Sequence, residues 1–394
     1  MNVLFYTYEA VQNNHGGTER ITISVAKGLK LHHGVHCFSG YSISCPDKNL
    51  SMFEDFIYFD LKKKDNQDVY NLLIKNKIDC ILVQGYFKAI PYFYNLIKGT
   101  KIKLFFGHHY APLGEMNTIT FKECLKKFLR EKKAKNLINC LIFPYLKWKK
   151  RKKIACFYKL SHDYSNKIIL LSERYKKSFS QYGCFNDLSK FKVIPNMLSF
   201  EKFASNKDIE KKEKRVLIVT RLEDAQKRII LALKIWNNIT STHLFDDWSL
   251  DLVGHGEDFQ LCVDYVRKHS IKNVYFWGKQ DPMPFYENAS IFMMTSKSEA
   301  WGLTLTESQQ MGVVPFAFDT YESLHDIIDN EMNGFIIPEK DIPCYVRKME
   351  MIMKNSELRK KMANNAVKKS KRFSEKEISS EWFNFFGSEI STRI

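Results

Sequence analysis

Short runs of apolar, strand-forming residues alternate with stretches of helical periodicity along the chain. In the first half these runs occur at 2–8, 36–40, 80–85, 102–107 and 167–172. Between the first two runs, Ile21, Val25 and Leu29 recur at the spacing of one helical face, and Gly34 suits a helix end. Strands separated by helices indicate right-handed crossovers and a mostly parallel sheet.

The alternation lapses once, in the polar and charged stretch 199–214, which we predict to be an interdomain linker. Beyond it the apolar runs resume at 215–220, 249–254, 274–278, 290–296, 313–319 and 334–338, with a helix over about 226–239. A chain of 394 residues exceeds the usual size of one domain. We therefore predict an α/β protein of two doubly wound, Rossmann-like domains whose parallel sheets face a cleft. The predicted segments are 1–198, the linker 199–214, 215–373 and a helical end at 374–394.

Ligands of such sheets bind at the carboxyl ends of the strands, so the loops that follow strands carry the candidate sites. After the first strand, Gly16 and Gly17 permit positive φ and precede a helix whose free amides would favour an anion. An ordinary strand–helix turn capped by Thr18 is the alternative. The dinucleotide fingerprint GxGxxG is absent from this loop, which argues against an oxidoreductase.

Two adjacent histidines, His108 and His109, follow another predicted strand. A histidine there could bind a substrate hydroxyl or transfer a proton, and the alternative is a partly buried polar residue at a strand end. Neighbouring side chains on a strand point to opposite faces, and the sequence shows no third ligand nearby. We therefore expect no metal at this position.

In the second half, Arg221 follows a strand and Lys227 lies six residues later. Arginine offers a rigid fork of donors and lysine a mobile charge, so the two could neutralise a diphosphate. Surface charge is the alternative. In the next such loop Gly254 precedes His255 and Gly256. A single GxG motif is weak evidence for a binding site, but it suits a turn whose backbone passes close to a phosphate or a base.

A loop with two carboxylates, Glu299 and Glu307, follows the run at 290–296. Between them, the free amides of Gly302, Leu303 and Thr304 would point into the cleft. Carboxylates bind vicinal diols well, so the loop suits a molecule with diols at both ends and phosphate between. The alternative is a capping box, because Thr304-x-x-Glu307 fits the S/T-x-x-E pattern.

The formal charge of +17 is concentrated in one segment. Residues 122–153 contain 13 Lys or Arg against two Glu, with aromatic residues among them. Such a segment suits an anionic membrane surface or a lipid phosphate, and RNA binding or a solvated face are the alternatives. We expect the contact to centre on Lys147, Trp148, Lys149, Lys150, Arg151, Lys152 and Lys153.

The remaining composition favours a cytoplasmic protein. The first ten residues lack the basic leader and the cleavage site of a signal peptide, and no run reaches the length of a spanning helix. The nine cysteines are scattered without metal-binding spacing, which indicates reduced thiols.

Together these motifs resemble the retaining glycosyltransferases of family 4, the group 1 glycosyltransferases, which have the GT-B fold. The segment "SKSEAWGLTLTESQQMGVVPFAFD" resembles the family's E-x7-E region. "GGTER", "HHY", "VIPN", "VTRLEDAQK", "LVGHGED" and "VYFWGKQDP" resemble its other loops, in the same order across residues 1–380.

The resemblance implies roles for the matching residues. Glu307 would bind the ribose of a nucleotide-sugar donor, and Glu299 the hydroxyls of the transferred sugar. Arg221 and Lys227 would hold the diphosphate, helped by Gly17 and the amides of 302–304. His108 would lie near the reaction centre. The last helix would cross back onto the first domain. The resemblance further implies retention of anomeric configuration without a metal, and the sequence contains no DxD motif.

Some positions depart from the family pattern. His109 stands where relatives often have Asp, Ala300 and Trp301 where glycine and an aromatic residue are common, and Ser308 and Gln309 replace a frequent Ala-Met. These changes leave the sugar, the base (UDP, GDP or ADP) and the acceptor open.

The resulting prediction is a transferase that moves a sugar to a lipid-linked saccharide at the inner face of the membrane, for capsule, O-antigen or exopolysaccharide assembly, with no nucleic-acid partner. A sugar-nucleotide epimerase of similar fold and a non-catalytic basic binding protein are the alternatives.

Overall fold

The computed structural model describes residues 1–12, 16–63, 66–112, 114, 116 and 120–391, without the side chains of 122, 123, 126, 127 and 130. The chain divides into two compact units. Unit 1 comprises Met1–Leu113, Pro144–Met197 and Phe373–Ile394, and unit 2 comprises Gly114–Phe143 and Leu198–Arg372. The basic segment 122–153, which the sequence places in the first domain, is thus divided between the two units.

The described residues form thirteen strands. They are β1 Asn2–Tyr6, β2 His36–Tyr41, β3 Phe53–Tyr58, β4 Cys80–Gln84, β5 Lys103–Gly107, β6 Lys167–Leu170, β7 Phe191–Val193, β8 Arg215–Val219, β9 Ser249–Val253, β10 Val274–Gly278, β11 Ile291–Met294, β12 Val314–Phe318 and β13 Phe335–Ile337. The predicted strands are confirmed to within two residues at each end. Two strands, β3 and β7, were not predicted.

The α-helices of the described residues lie between these strands, except for the last three, which follow β13. They are α1 Gly17–His33, α2 Gln67–Lys75, α3 Ile90–Leu96, α4 Phe121–Glu131, α5 Ala134–Leu141, α6 Phe143–Tyr164, α7 Arg174–Gly183, α8 Asn206–Glu210, α9 Asp224–Lys227, α10 Ile229–Thr240, α11 Phe259–Lys268, α12 Met283–Asn288, α13 Leu303–Gln310, α14 Leu324–Ile327, α15 Ile342–Lys354, α16 Ser356–Ser370 and α17 Glu375–Ser391.

Unit 1 is built on a seven-stranded parallel sheet in the order β3-β2-β1-β4-β5-β6-β7. The pairing of Gln84 with Gly107 brings the carboxyl ends of β4 and β5 side by side. The C-terminal helix α17 is part of this unit and packs on α1. At their contact, a Cβ on Gly28 would lie 2.9 Å from the Cβ of Ser379, so only a glycine lets the helices approach so closely.

Unit 2 is built on a six-stranded parallel sheet in the order β10-β9-β8-β11-β12-β13. Its core combines apolar strand residues with helix residues such as Trp236 and Tyr345, both fully buried. The stretch predicted as a linker contains the short helix α8, which begins in a capping box between Ser205 and Asp208 and buries Ile209. The fold prediction of parallel α/β sheets is confirmed.

Candidate functional site

In unit 2 the loop after β9 packs closely against the loop after β8 at two glycines, Gly254 and Gly256. A Cβ on Gly254, which has φ +137°, would lie 1.8 Å from the carbonyl oxygen of Thr220, and a Cβ on Gly256 would lie 2.5 Å from that of Leu222. The amide of Leu222 donates in turn to the carbonyl of His255 at 3.2 Å. These glycines therefore permit close packing between two loops, which fixes the start of α9.

The end of α9 is tied to the loop after β11. The Thr295 hydroxyl donates to the carbonyls of Lys227 and Arg228 at 2.8 and 3.0 Å. The amide of Lys297 donates to the carbonyl of Gln226 at 2.7 Å. Because the bonds use backbone carbonyls, they position the two loops without engaging the side chain of Lys227.

The side chain of Lys227 meets the first of the two predicted carboxylates. Its Nζ lies 2.5 Å from Oε1 of Glu299, and both side chains are only 15% exposed. An ion pair this sheltered is screened less than a surface pair, and removing either partner leaves the other charge poorly solvated. The structure thus brings Lys227 and Glu299 together, 72 residues apart in sequence.

Helix α13 begins directly after this loop. Gly302 is its N-cap at φ +87°, a left-handed conformation that favours glycine, and a Cβ there would also lie 2.9 Å from the Tyr321 hydroxyl. Thr304 lies in the first turn and not at the cap, so the capping box proposed as the alternative for Glu307 is wrong. The first-turn amides of Leu303 and Thr304 have no preceding helical carbonyl to bind.

Glu307 lies one turn further into α13 and is 1% exposed. The hydroxyl of Tyr286 lies 3.2 Å from Oε2 of Glu307 and 3.2 Å from the carbonyl oxygen of Thr304. Tyr286 belongs to α12 and was not predicted as a site residue. No local pattern around it distinguishes it from a core tyrosine, because its role depends on a helix that follows later in the chain.

The departures at Ser308 and Gln309 are accommodated within the fold. Both side chains are fully buried. The Ser308 hydroxyl donates to the carbonyl of Leu305 at 2.8 Å, and the Gln309 amide donates to that of Ile327 at 3.0 Å. The Ser308 hydroxyl and the Gln309 amide nitrogen are therefore satisfied by backbone, whereas Oε1 of Gln309 is buried without a hydrogen-bond partner among the described residues.

Arg221 is placed differently from Lys227. Its Nη1 lies 3.2 Å from Oε1 of Glu223, and its side chain is 67% exposed. A pair this exposed holds the arginine weakly. Arg221 is therefore available to an anion without the loss of a strong protein contact.

In unit 1, Gly16 and Gly17 stand at the start of α1. Gly16 is the N-cap at φ −56°, and neither glycine has a positive φ. The positive φ that glycine permits at these two positions is therefore not adopted. A Cβ on Gly16 would instead lie 2.9 Å from a carboxylate oxygen of Glu19. The part of the loop at 13–15 lies outside the described residues.

His108 is buried at the end of β5 among aromatic rings. The ring centroids of Phe179 and Tyr158 lie 4.9 and 5.4 Å from that of His108. Neither ring nitrogen has a hydrogen-bond partner among the described residues. Burial, with a smaller contribution from His109, lowers the pKa of His108 to about 3. The imidazole is therefore neutral at pH 7, and both nitrogens are unused.

His109 is held by a residue that the sequence did not single out. Its Nε2 lies 2.5 Å from Oε1 of Gln84, at the end of the neighbouring strand. Burial lowers the pKa of His109 to about 4. A neutral His109 donates from Nε2 to Gln84, which leaves the amide nitrogen of Gln84 buried without a partner in the described part of the chain. A Cβ on Gly107 would lie 2.4 Å from Oε1 of Gln84, so this arrangement requires glycine there.

The comparisons agree with the motifs. Residues 199–369 match the family model described as "Glycosyl transferases group 1". This part of the chain is therefore similar to group 1 glycosyltransferases. The ion pair, Gly302 and Glu307 all lie within it.

Two relatives match longer stretches of the chain than residues 199–369. The chain is 23% identical over 370 residues to an uncharacterized glycosyltransferase of Haemophilus influenzae, covering 93% of this chain and 95% of the relative. It is 24% identical over 195 residues to an α-1,4-N-acetyl-D-galactosaminyltransferase of Campylobacter jejuni, whose name gives a diphospho-undecaprenol-linked saccharide as acceptor. That match covers 50% of this chain and 54% of the relative.

Among solved structures, HepE of Anabaena in complex with UDP-glucose superimposes with a TM-score of 0.72. The two sequences are 16% identical, and the superposition covers 98% of this chain and 100% of the HepE chain. Together with the two parallel sheets, this likeness shows the GT-B fold.

The predicted basic patch at 147–153 lies on α6. Tyr145 and Trp148 are both exposed with their ring centroids 5.9 Å apart, and Lys152 Nζ lies 4.1 Å from the centroid of Trp148. The other predicted patch residues on this helix are exposed or partly exposed, namely Lys147, Lys149, Lys150, Arg151 and Lys153.

The described residues contain no group of three or more His, Cys, Asp or Glu side chains placed to bind a metal. No helix within the described ranges is both long and apolar enough to cross a membrane.

Proposed function

We propose that the protein is a retaining glycosyltransferase that moves a sugar from a nucleoside-diphosphate sugar to a lipid-linked saccharide. The observation that carries this proposal is the sheltered ion pair between Lys227 and Glu299 beside the first turn of α13. A diphosphate needs cations and free amides, and a sugar needs a carboxylate for its hydroxyls. Lys227 on α9, Glu299 and the first turn of α13 provide these groups together.

In the proposed complex the donor replaces part of the ion pair. Lys227 exchanges Glu299 for an oxygen of the diphosphate, and Glu299 then binds hydroxyls of the transferred sugar. Arg221, which has only an exposed partner, turns to the same diphosphate. The amides of Gly302 to Thr304 complete the anion site. The interactions of Lys227, Arg221 and the amides with the diphosphate gain strength as negative charge develops on this leaving group.

Glu307 binds the ribose in this proposal. A buried carboxylate with one tyrosine hydroxyl beside Oε2 still has acceptor capacity, because a carboxylate offers about four lone-pair sites. A ribose presents two adjacent hydroxyls that can donate to it. UDP-sugars are the first donors to test, since HepE was solved with UDP-glucose.

The proposed reaction needs no metal. The bond between the anomeric carbon and the diphosphate oxygen breaks, and a bond from that carbon to the acceptor oxygen forms on the same face. The acceptor hydroxyl proton leaves with the diphosphate. Because His108 is neutral, we propose that it hydrogen-bonds a sugar hydroxyl and does not act as a cation.

The acceptor proposal rests on α6 and on a relative. The Campylobacter jejuni relative is named for a diphospho-undecaprenol-linked acceptor. A helix with exposed Trp148 and Tyr145 among lysines suits the interface of an anionic membrane. We therefore propose peripheral association with the inner face of the cytoplasmic membrane, in assembly of a surface polysaccharide.

A thermal-shift panel tests the donor site. The chain is titrated with UDP, GDP and ADP and with their glucose forms, and a ligand that binds only the native state raises the melting temperature. We expect one nucleotide family to stabilise the protein. The absence of a shift with all six ligands would contradict the donor assignment.

Vesicle co-sedimentation tests the membrane contact. Changing Lys149, Lys150, Lys152 and Lys153 together to Gln removes four charges, each worth about 1 kcal/mol near an anionic surface. We expect binding to phosphatidylglycerol vesicles to fall about 100-fold or more, with little change for phosphatidylcholine. The control changes Lys98, Lys176, Lys177 and Lys192, which lie in the same unit but outside α6. Equal losses in both variants would mean that net charge alone, and not this surface of α6, determines binding.

A further inference from the structure

The edge strand of the unit 2 sheet carries two exposed aromatic side chains that the donor site does not use. Tyr275 and Trp277 of β10 are 49% and 43% exposed, and their ring centroids lie 6.4 Å apart. Side chains two residues apart on a strand share a face. A groove of about 440 Å³ runs beside them, lined also by Arg215, Asp247 and Asn273.

A buried carboxylate holds this surface in place. Asp251 on β9 is 2% exposed, and its Oδ1 accepts a hydrogen bond from the indole N–H of Trp277 at 2.8 Å. Nη1 of Arg215 lies 3.1 Å from Oδ2 of the same carboxylate. The indole ring is therefore a fixed plate and not a freely rotating surface residue, and the guanidinium beside it is equally fixed.

The cationic side chains around the groove are paired with carboxylates of the protein itself. Arg215 also donates from Nε to Glu213 at 2.5 Å, so two carboxylates surround one guanidinium. Lys214 forms an ion pair with Asp247, and Nδ1 of His243 lies 3.2 Å from Oδ2 of Asp246. A site with paired cations and additional carboxylates repels phosphates and nucleic acid, since these ligands require unpaired positive charge.

The edge itself is poorly suited to pairing with another strand. The register between β9 and β10 shifts between Phe276 and Gly278, and Gly278 has φ +68°. A bulge of this kind twists an edge strand and interrupts its row of free backbone groups. The exposed feature is thus the aromatic face and not the strand edge.

We propose that this groove is a second carbohydrate site, which binds a neutral oligosaccharide. A pyranose ring has C–H groups on its face and hydroxyls at its rim. It therefore suits an aromatic plate with neutralised polar groups beside it. The position fits a site separate from the donor loops, because β8 and β9 lie between β10 and β11 in the sheet. A glycosyltransferase with such a site can hold a saccharide chain away from its reacting end.

Binding is tested with maltoheptaose, cellohexaose and chitohexaose as probes, by calorimetry and by tryptophan fluorescence. We expect at least one probe to bind with a dissociation constant of roughly 1 mM. Trp277→Ala and Tyr275→Ala should each weaken binding about tenfold or more, because each removes a stacking surface. Both side chains are half exposed, so the variants are expected to fold.

Two control variants separate this site from others. Tyr58→Ala removes from the edge strand β3 an exposed aromatic residue whose ring centroid lies 5.7 Å from that of Tyr41 on β2, and it should leave binding unchanged. Glu307→Ala should also retain saccharide binding, so the outcome does not depend on the proposed donor site.

Three results would overturn the proposal. One is that none of the three probes binds. Another is that Trp277→Ala binds them as well as the wild type does. A third is concentration-dependent self-association, measured by sedimentation, that Trp277→Ala abolishes in the absence of saccharide binding, which would assign the surface to a second copy of the chain.

Discussion

The two units use different kinds of polar groups at the carboxyl ends of their strands. In unit 2 the loops after β8 and β11 bring opposite formal charges together, with Lys227 Nζ 2.5 Å from Glu299 Oε1. In unit 1 the carboxyl ends of β4 and β5 bury neutral groups. His109 is hydrogen-bonded to Gln84, and His108 lies among aromatic rings. Both arrangements reduce the free-energy cost of burying polar groups, since a group removed from water either gains a partner or loses its charge.

The difference indicates what each set of groups can bind. The ion pair of unit 2 can exchange one partner for an anionic ligand, so it suits a diphosphate. As far as the structure describes unit 1, its neutral set has unpaired hydrogen-bonding atoms on His108 and Gln84 and includes no cation, so it suits uncharged hydroxyls. If this contrast holds, ligand binding in unit 2 depends on charged side chains, and the polar groups of unit 1 stay neutral.

Replacement of Lys227 by Ala should produce the largest effect. It removes the cation that we assign to the diphosphate, and loss of one such group costs about 100- to 1,000-fold in rate. We expect kcat/KM to fall by about that factor and nucleoside-diphosphate affinity to fall as well. Radiolabelled sugar transfer and the thermal-shift panel measure the two quantities.

The matched control for this prediction is Lys348→Ala. Lys348 also forms an ion pair in unit 2, with Glu331 at 2.7 Å, but on the surface of α15. Its loss should leave transfer unchanged. If Lys227→Ala retains wild-type kcat/KM, the ion pair with Glu299 is structural and the contrast between the units has no functional meaning.

Replacement of Glu307 should have a smaller effect, confined to the nucleotide. A hydrogen bond to a charged group contributes about 1.5–3 kcal/mol, so Glu307→Gln should weaken nucleotide binding about 10- to 100-fold. The change keeps the shape of the side chain and removes its formal charge. Calorimetric titration with the nucleotide that stabilises the protein measures the loss.

Tyr286→Phe separates binding from packing at this position. It removes the hydroxyl that lies 3.2 Å from Glu307 while leaving the carboxylate itself. If Glu307 serves the fold alone, both variants lower the melting temperature and neither changes nucleotide affinity. That result would contradict the ribose assignment.

Much of the fold was predictable because hydrophobic periodicity is local. The helix predicted before Gly34 ends there, with Gly34 at φ +61°. The strand β3 was missed because its sequence, "FEDFIY", mixes charged and apolar residues at an exposed edge of the sheet. The strand β7 was missed because it has only three residues. The helix α8 was missed because it buries a single apolar residue in a polar stretch.

The candidate site was predictable where sequence spacing determines geometry. Glu299, Gly302 and Glu307 share one loop and helix, and their grouping followed from the sequence. The bond of Lys227 to Glu299 joins residues 72 apart, and local patterns carry no information about such a contact. Tyr286 and Gln84 were missed for the same reason, because tertiary packing alone brings them to Glu307 and His109.

The neutrality of His108 predicts a pH dependence of stability. Its pKa is lowered from 6.5 to about 3 in the native chain. Between these pH values the unfolded chain binds one more proton than the native chain, so the free energy of unfolding falls as pH decreases. From pH 6.5 to pH 5 this histidine alone should remove about 2 kcal/mol. His108→Leu should reduce the wild-type loss by that amount, as measured by urea unfolding across this range.

The control for this pH dependence is Phe179→Leu, which changes the packing around the same ring without removing a titrating group. It should lower stability by a similar amount at every pH and leave the slope with pH as in the wild type. His108→Leu should instead reduce the slope, whatever its effect at pH 7. Equal slopes in His108→Leu and wild type would mean that His108 becomes protonated in the native state, and unit 1 would then bury a charge as unit 2 does.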